Sequence, residues 1–184
     1  MQSLDGTQSQ GNKEQIVCAI GMLGVGKSTL LNCALNLDDP SNTFVAKNAA
    51  TGVTQDFTPK PTTWPNVVVL DTPGLCDPQL ELPLWTSRYN EQMAGKDLSL
   101  VIFIVPPMPR VSANEKMLAA VADEAFKAMK TENMLLVVNR AGRYYTRAKA
   151  LENYEVMRKS VESCSLPPLT EDRILVLPDV DCEP

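Results

Sequence analysis

Eight residues, Gly21-Met22-Leu23-Gly24-Val25-Gly26-Lys27-Ser28, place three glycines, a lysine and a hydroxyl directly behind the apolar run QIVCAI. That composition suits the binding of a polyphosphate. A loop that wraps phosphate oxygens must turn several N–H groups inward, through backbone angles open to glycine. The spacing Gly21-x-x-x-x-Gly26-Lys27-Ser28 fits the Walker A pattern, with a strand expected before it and a helix after it. In that reading residues Gly21, Met22, Leu23, Gly24, Val25, Gly26, Lys27, Ser28 and Thr29 line the phosphates. Lys27 reaches the β- and γ-phosphates, the Ser28 hydroxyl sits on Mg²⁺, and the helix N-terminus adds the positive end of its dipole.

A second site follows downstream, where the apolar run VVVL ends in Asp71-Thr72-Pro73-Gly74. After a phosphate loop, this turn resembles the switch II entry of GTPases. Asp71 would then hold the Mg²⁺ shell and the Gly74 N–H would sense the γ-phosphate, with Thr72 and Pro73 beside the nucleotide. Between the two sites one threonine hydroxyl must join Mg²⁺ when the γ-phosphate is present. By spacing alone Thr51, Thr54, Thr58, Thr62 and Thr63 all qualify. At the base end, VVNRAG offers Asn139 to stitch the loop and Arg140 to stack on the base. Reading guanine needs a carboxylate two residues beyond Arg140, and Gly142 stands there. Poor base discrimination is the expectation. The LPDV stretch after the last apolar run is also not the usual base-covering loop.

Positioning these groups takes alternating strands and helices. QIVCAI, NVVVLD, LSLVIFIV, NMLLVVN and RILVLP read as short buried strands, with a weak edge strand around 57–64. Residues 27–37 read as a helix. VSANEKMLAAVADEAFKAMK is the clearest helix, opened by a Ser112/Glu115 capping box with Leu118, Val121, Ala122 and Phe126 in its apolar stripe. A further helix is expected to carry Tyr144, Ala148, Leu151, Tyr154, Met157 and Val161 on one face. The stretch from Gly74 to Lys96 reads as polar, proline-dotted and short of apolar anchors. The fold class is therefore α/β: a P-loop NTPase fold, its mostly parallel central sheet covered by helices on both faces. Residues 1–13 read as a disordered leader and 14–184 as one domain, trimmed at its C-terminus because no helix follows the last strand.

Composition removes other classes. With no histidine among 184 residues, every His triad, His metal site and His general base is excluded. A net charge of −5 argues against nucleic-acid binding by bulk charge. Five scattered cysteines show neither a zinc spacing nor a disulfide framework, and no signal or membrane-spanning run is evident, so a reduced, cytoplasmic protein is expected.

GMLGVGKSTLLN, GVTQDF, VVVLDTPGLCD and FIVPPMPRVSANEK together resemble the paraseptin GTPases of the GTPase-of-immunity-associated-protein (GIMAP, AIG) type, over residues 16–177. The resemblance implies GTP and GDP as ligands with Mg²⁺. It makes Thr54 the switch I threonine, so that Ser28, Thr54 and Asp71 form the metal set and Lys27, Thr54 and Gly74 the catalytic set. It also implies nucleotide-driven self-association through the switch loops, often at the cytosolic face of membranes. Leu75 stands where many GTPases place a water-orienting glutamine, so slow hydrolysis is expected, with Arg110 of a second copy a candidate to assist. A nucleotide-locked scaffold and a P-loop ATPase or kinase are the alternatives.

Overall fold

Along the central strands, consecutive side chains feed opposite faces of the sheet. In β1 (Gln15–Gly21), Ile16, Cys18 and Ile20 enter one apolar cluster while Ala19 enters another. In β4 (Asp97–Val105), Val101, Phe103 and Val105 join the first cluster and Ile104 the second. Strands that are apolar on both faces need cover on both, and helices supply it. This computed structural model describes residues 14–34, 43–45, 54, 56–75, 77, 80–108, 110–126 and 129–179. The leader expected at 1–13, the chain end at 180–184 and Thr51 lie outside the described residues.

The remaining strands are β2 (Thr58–Pro61), β3 (Val67–Asp71), β5 (Met134–Ala141) and β6 (Ile174–Pro178), in the order β2-β3-β1-β4-β5-β6. All neighbours run parallel except β2, which pairs antiparallel to β3. Proline at positions 59 and 61 is compatible with β2 because that strand is an edge. β1 therefore lies between β3 and β4, and the strand order reverses there. In open α/β sheets ligands bind in the crevice at the carboxyl ends of the strands flanking such a switch point.

α1 (Lys27–Ala34) packs Leu31 into the second cluster, with Phe44. The first cluster is covered by α2 (Leu82–Met93), α3 (Ala113–Ala125) and α4 (Arg147–Lys159). The Ser112/Glu115 capping box opens α3 as the sequence predicts.

Three expectations are corrected. The stretch after Gly74 holds a helix, α2, and is anchored by Leu75, Trp85 and Tyr89, all buried. Trp85 stacks on Tyr89 with ring centroids 5.5 Å apart, and Phe57 meets the Trp85 ring edge-on at 5.2 Å. α4 begins only at Arg147, after its N-cap Thr146, so Tyr144 lies outside it, and Ala148 is exposed. Of the expected stripe Tyr154 and Met157 are buried, with Ala150 and Asn153 beside them, and Leu151 and Val161 pack against the core. Tyr144 is 88% exposed and does not pack in the core. Among the described residues no helix is long and apolar enough to cross a membrane.

Candidate functional site

β1 and β3 are parallel neighbours, so their carboxyl ends deliver Gly21 and Asp71 to the same edge of the sheet. Beyond β1 the chain turns through residues 22–26 and enters α1 at Lys27. Gly26 takes φ +89°, and a Cβ there would lie 2.7 Å from Asn139 Nδ2. Asn139 uses that approach. Its Nδ2 donates to the Val25 carbonyl at 2.8 Å, tying the end of β5 to the phosphate loop as the sequence suggests.

Lys27 folds back over the loop, with Nζ donating to the carbonyls of Gly21 at 3.3 Å and Met22 at 3.1 Å. Burial lowers its pKa to about 8, against the pull of the Asp71 and Asp77 carboxylates, which favour the ammonium. A buried ammonium held by two carbonyls is a strong site for a phosphate oxygen.

Ser28, Thr54 and Asp71 come together from three segments. Ser28 Oγ donates to Asp71 Oδ2 at 2.5 Å, Thr54 Oγ1 donates to the same oxygen at 3.2 Å, and the two hydroxyls are 3.4 Å apart. The other carboxylate oxygen, Asp71 Oδ1, is buried with no hydrogen-bond partner. Burial holds the Asp71 carboxyl above the usual carboxylate range, although the Ser28 hydrogen bond and the Lys27 charge pull the other way. Buried polar atoms are rarely left unsatisfied. Two hydroxyls and a carboxylate with a spare oxygen form an all-oxygen set that suits Mg²⁺, a cation normally held by one or two protein groups together with phosphates and waters. The set fits the metal that the sequence assigns to it.

The four residues of the second motif part ways. The Thr72 hydroxyl donates to the Ala19 carbonyl at 2.8 Å inside the sheet, so this side chain does not line the site and its role is to lock β3 to β1. The Pro73 carbonyl accepts from Trp85 Nε1 at 3.1 Å. Gly74 passes so close to the phosphate loop that a Cβ would lie 2.7 Å from Leu23 Cα. Leu75 then pairs with the loop as a parallel bridge to Met22. Leu75 itself is 2% exposed. Its place in the core, and the Trp85–Pro73 hydrogen bond, are features that spacing did not reveal.

Before Thr54, Asn32 of α1 grips Phe44 in both directions, accepting from its N–H at 2.7 Å and donating to its carbonyl at 2.9 Å. After Thr54, Asp56 pairs with Arg88 of α2 at 2.9 Å on the surface. At the base end Arg140 is exposed at φ +60°, its N–H donating to Asn139 Oδ1 at 3.1 Å. Gly142 faces open space, with nothing within 4 Å of a Cβ built there. Met22, Leu23, Gly24, Val25 and Thr29 occupy the loop and first helical turn as expected.

Residues 16–159 match the family described as 50S ribosome-binding GTPase. Among solved structures, Toc33 from Arabidopsis thaliana in complex with GDP and Mg²⁺ is similar with a TM-score of 0.62 at 12% identity, covering 92% of this chain and 72% of that one. Toc33 from the same plant in complex with Mg²⁺ and GMPPNP gives 0.60 at 14% identity, covering 91% and 72%. A structure described by the statement that dimerization is important for the GTPase activity of the chloroplast translocon components atToc33 and psToc159 gives 0.62 at 14%, covering 94% and 73%. At these identities the likeness shows the fold. No curated protein sequence matches the chain.

Proposed function

The chain belongs to the 50S ribosome-binding GTPase family, and from that premise we propose that it is a Mg²⁺-dependent guanine-nucleotide switch that hydrolyses GTP slowly. The observation that carries this reading is the convergence of Ser28, Thr54 and Asp71 beside the buried Lys27 ammonium, with Asp71 Oδ1 left without a partner. Lys27 and the loop N–H groups bind and orient the β- and γ-phosphates. Ser28, Thr54 and Asp71 are the residues that would hold Mg²⁺, which when bound neutralises charge building on those phosphates. Thr54 and Gly74 report the γ-phosphate, one from each switch segment. Lys27, Thr54 and Gly74 thus form the catalytic set and act by positioning and electrostatics rather than by proton transfer.

The finer features of this reading rest on the motif resemblance. Residues 14–184 form one G domain of GIMAP type, it works in the cytoplasm or at the cytosolic face of a membrane, and copies self-associate through the switch segments. Dimerization linked to GTPase activity in the Toc components is compatible with such self-association. A nucleotide-locked scaffold is the second reading, favoured by the burial of Leu75, Trp85 and Tyr89 around the segment that a switch must release.

The deciding experiment is chromatography of nucleotide released from denatured protein, followed by GTP turnover with Mg²⁺ and with EDTA. Guanine nucleotide in the extract and Mg²⁺-dependent turnover support the switch. Bound GDP without turnover supports the scaffold, and adenine nucleotide would replace both with an ATPase.

A further inference from the structure

Gly142 stands at the position from which a carboxylate would read guanine, yet the sheet brings another carboxylate beside it. β5 and β6 run parallel in register from Leu136↔Ile174 to Val138↔Val176. The register then shifts, through the left-handed Arg140 at φ +60°, and resumes at Ala141↔Pro178. One residue further, Gly142 lies alongside Asp179, and the Asp179 N–H donates to the Ala141 carbonyl at 3.2 Å, which holds the chain there past the end of β6. Neighbouring parallel strands are about 4.8 Å apart, and residues in register present their side chains to the same face. Both residues lie just past the last paired positions of β5 and β6, so Asp179 stands at the same corner of the sheet as Gly142, one strand over. Gly142 leaves that space open, with nothing within 4 Å of its would-be Cβ. Asp179 is half-buried at this edge, and Asn139, which ties the phosphate loop to β5, lies in that strand three residues before Gly142.

We propose that the Asp179 carboxylate, approaching from the neighbouring strand, reads the guanine N1–H and 2-amino group in place of the residue missing at 142. This inference rests on the nucleotide reading above. Guanine presents two donors on that edge, and a carboxylate accepts both. Xanthine presents one donor and one carbonyl, which a carboxamide complements. Base selectivity thus moves by one strand without changing its chemistry, and the glycine at 142 makes room for it.

The test titrates the full chain with fluorescently labelled GDP, XDP and ADP, comparing wild type with Asp179→Asn and with Asp179→Ala carrying Gly142→Asp. Wild type is expected to prefer GDP. Asp179→Asn should lose GDP affinity by on the order of tenfold or more and gain XDP affinity, because a buried donor left unpaired is costly. The double variant should regain GDP preference, since its carboxylate serves the same base edge from residue 142. That variant keeps the proposal testable even where Asp179→Asn folds poorly. A wild type that prefers GDP while Asp179→Asn leaves the GDP to XDP ratio unchanged would overturn the assignment and leave the nucleotide reading intact. Equal wild-type affinity for all three diphosphates would overturn it too. No binding of any of them would remove the nucleotide reading itself.

Discussion

Leu23 and Leu75 are joined through the backbone: the Leu23 N–H donates to the Leu75 carbonyl at 3.0 Å, and the Leu75 N–H donates to the Gly21 carbonyl at 3.1 Å. The phosphate loop and the segment after Gly74 are thereby one bridged unit, closed over a position where even a methyl group on Gly74 would collide with Leu23. A shift at Gly74 cannot occur without moving the loop that holds the phosphates. This relationship also decides what Leu75 does. Its side chain lies in the core among the aromatic rings and central strands, 2% exposed.

Leu75→Gln, the substitution that would restore the common water-orienting residue, is therefore expected to cost stability and to gain no rate. A glutamine amide in that pocket loses water without a partner, a penalty of about 1–3 kcal/mol. Urea unfolding should show a lower midpoint with an unchanged slope, and GTP turnover should stay flat. A several-fold faster variant of unchanged stability would show that residue 75 can face the nucleotide.

Lys27→Ala should weaken GDP binding by roughly 10- to 100-fold, the worth of a charge-assisted hydrogen bond of about 1.5–3 kcal/mol. Titration with labelled GDP measures it. Equal affinity in the variant would remove the phosphate-loop assignment.

Asp71→Asn separates stability from function. Burial holds the Asp71 carboxyl above its ordinary range, so the ionised group is a cost to the folded state at neutral pH, and that cost disappears with the charge. The nucleotide-free variant should melt at the wild-type temperature or above it. EDTA should lower GDP affinity in wild type and have little effect in Asp71→Asn. Melting curves with and without GDP, at fixed Mg²⁺ and in EDTA, read both effects. Loss of folding in the variant, or an undiminished EDTA effect, would count against Asp71 as the metal carboxylate.

Trp85 should report the nucleotide state. Its Nε1–H holds the Pro73 carbonyl one residue before Gly74, and its ring stacks on Tyr89. The only other tryptophan is Trp64, which is exposed, so a Trp64→Phe background isolates the signal. Exchange of GDP for a GTP analogue should change Trp85 emission, and hydrogen exchange should change in α2 together with Thr54. Identical spectra and identical protection in both nucleotide states favour the scaffold.

The strands and the phosphate loop were legible because their signals are local: apolar runs of fixed length, and glycines placed where the backbone must turn. The Ser112/Glu115 box likewise announces α3 in four residues. α2 was not legible. Its N-cap Glu81 makes no side-chain cap, and its residues are mostly polar, so burial of Trp85 and Tyr89 four residues apart decides it. That spacing was the available sign. Burial of Asn153 is a tertiary matter too, since its amide donates to the Met108 carbonyl at 2.6 Å and to the Tyr145 hydroxyl at 2.9 Å. The threonine that meets Asp71 could not be chosen by spacing among five, and its place is fixed by contacts across the sheet edge. Asp179 became visible only through the register of β5 and β6.

Hydrolysis by a lone chain should be slow. Leu75 is buried, no histidine exists to replace a water-orienting glutamine, and the Lys27 ammonium can only stabilise charge. What remains is positioning and electrostatics from the phosphate loop, for which intrinsic rates on the order of 10⁻⁴ to 10⁻² per second are usual. A group supplied in trans would raise this. Arg110, exposed between β4 and α3, is the candidate to supply it from a second copy. Turnover per molecule should then rise with protein concentration in wild type, and stay at the dilute value in Arg110→Ala while GDP affinity is unchanged. A concentration-dependent rate that survives Arg110→Ala would assign the assisting group elsewhere in the partner. A rate that is fast and independent of dilution would mean that a single chain already holds its full catalytic set, and that burying Leu75 does not leave the attacking water without a guide.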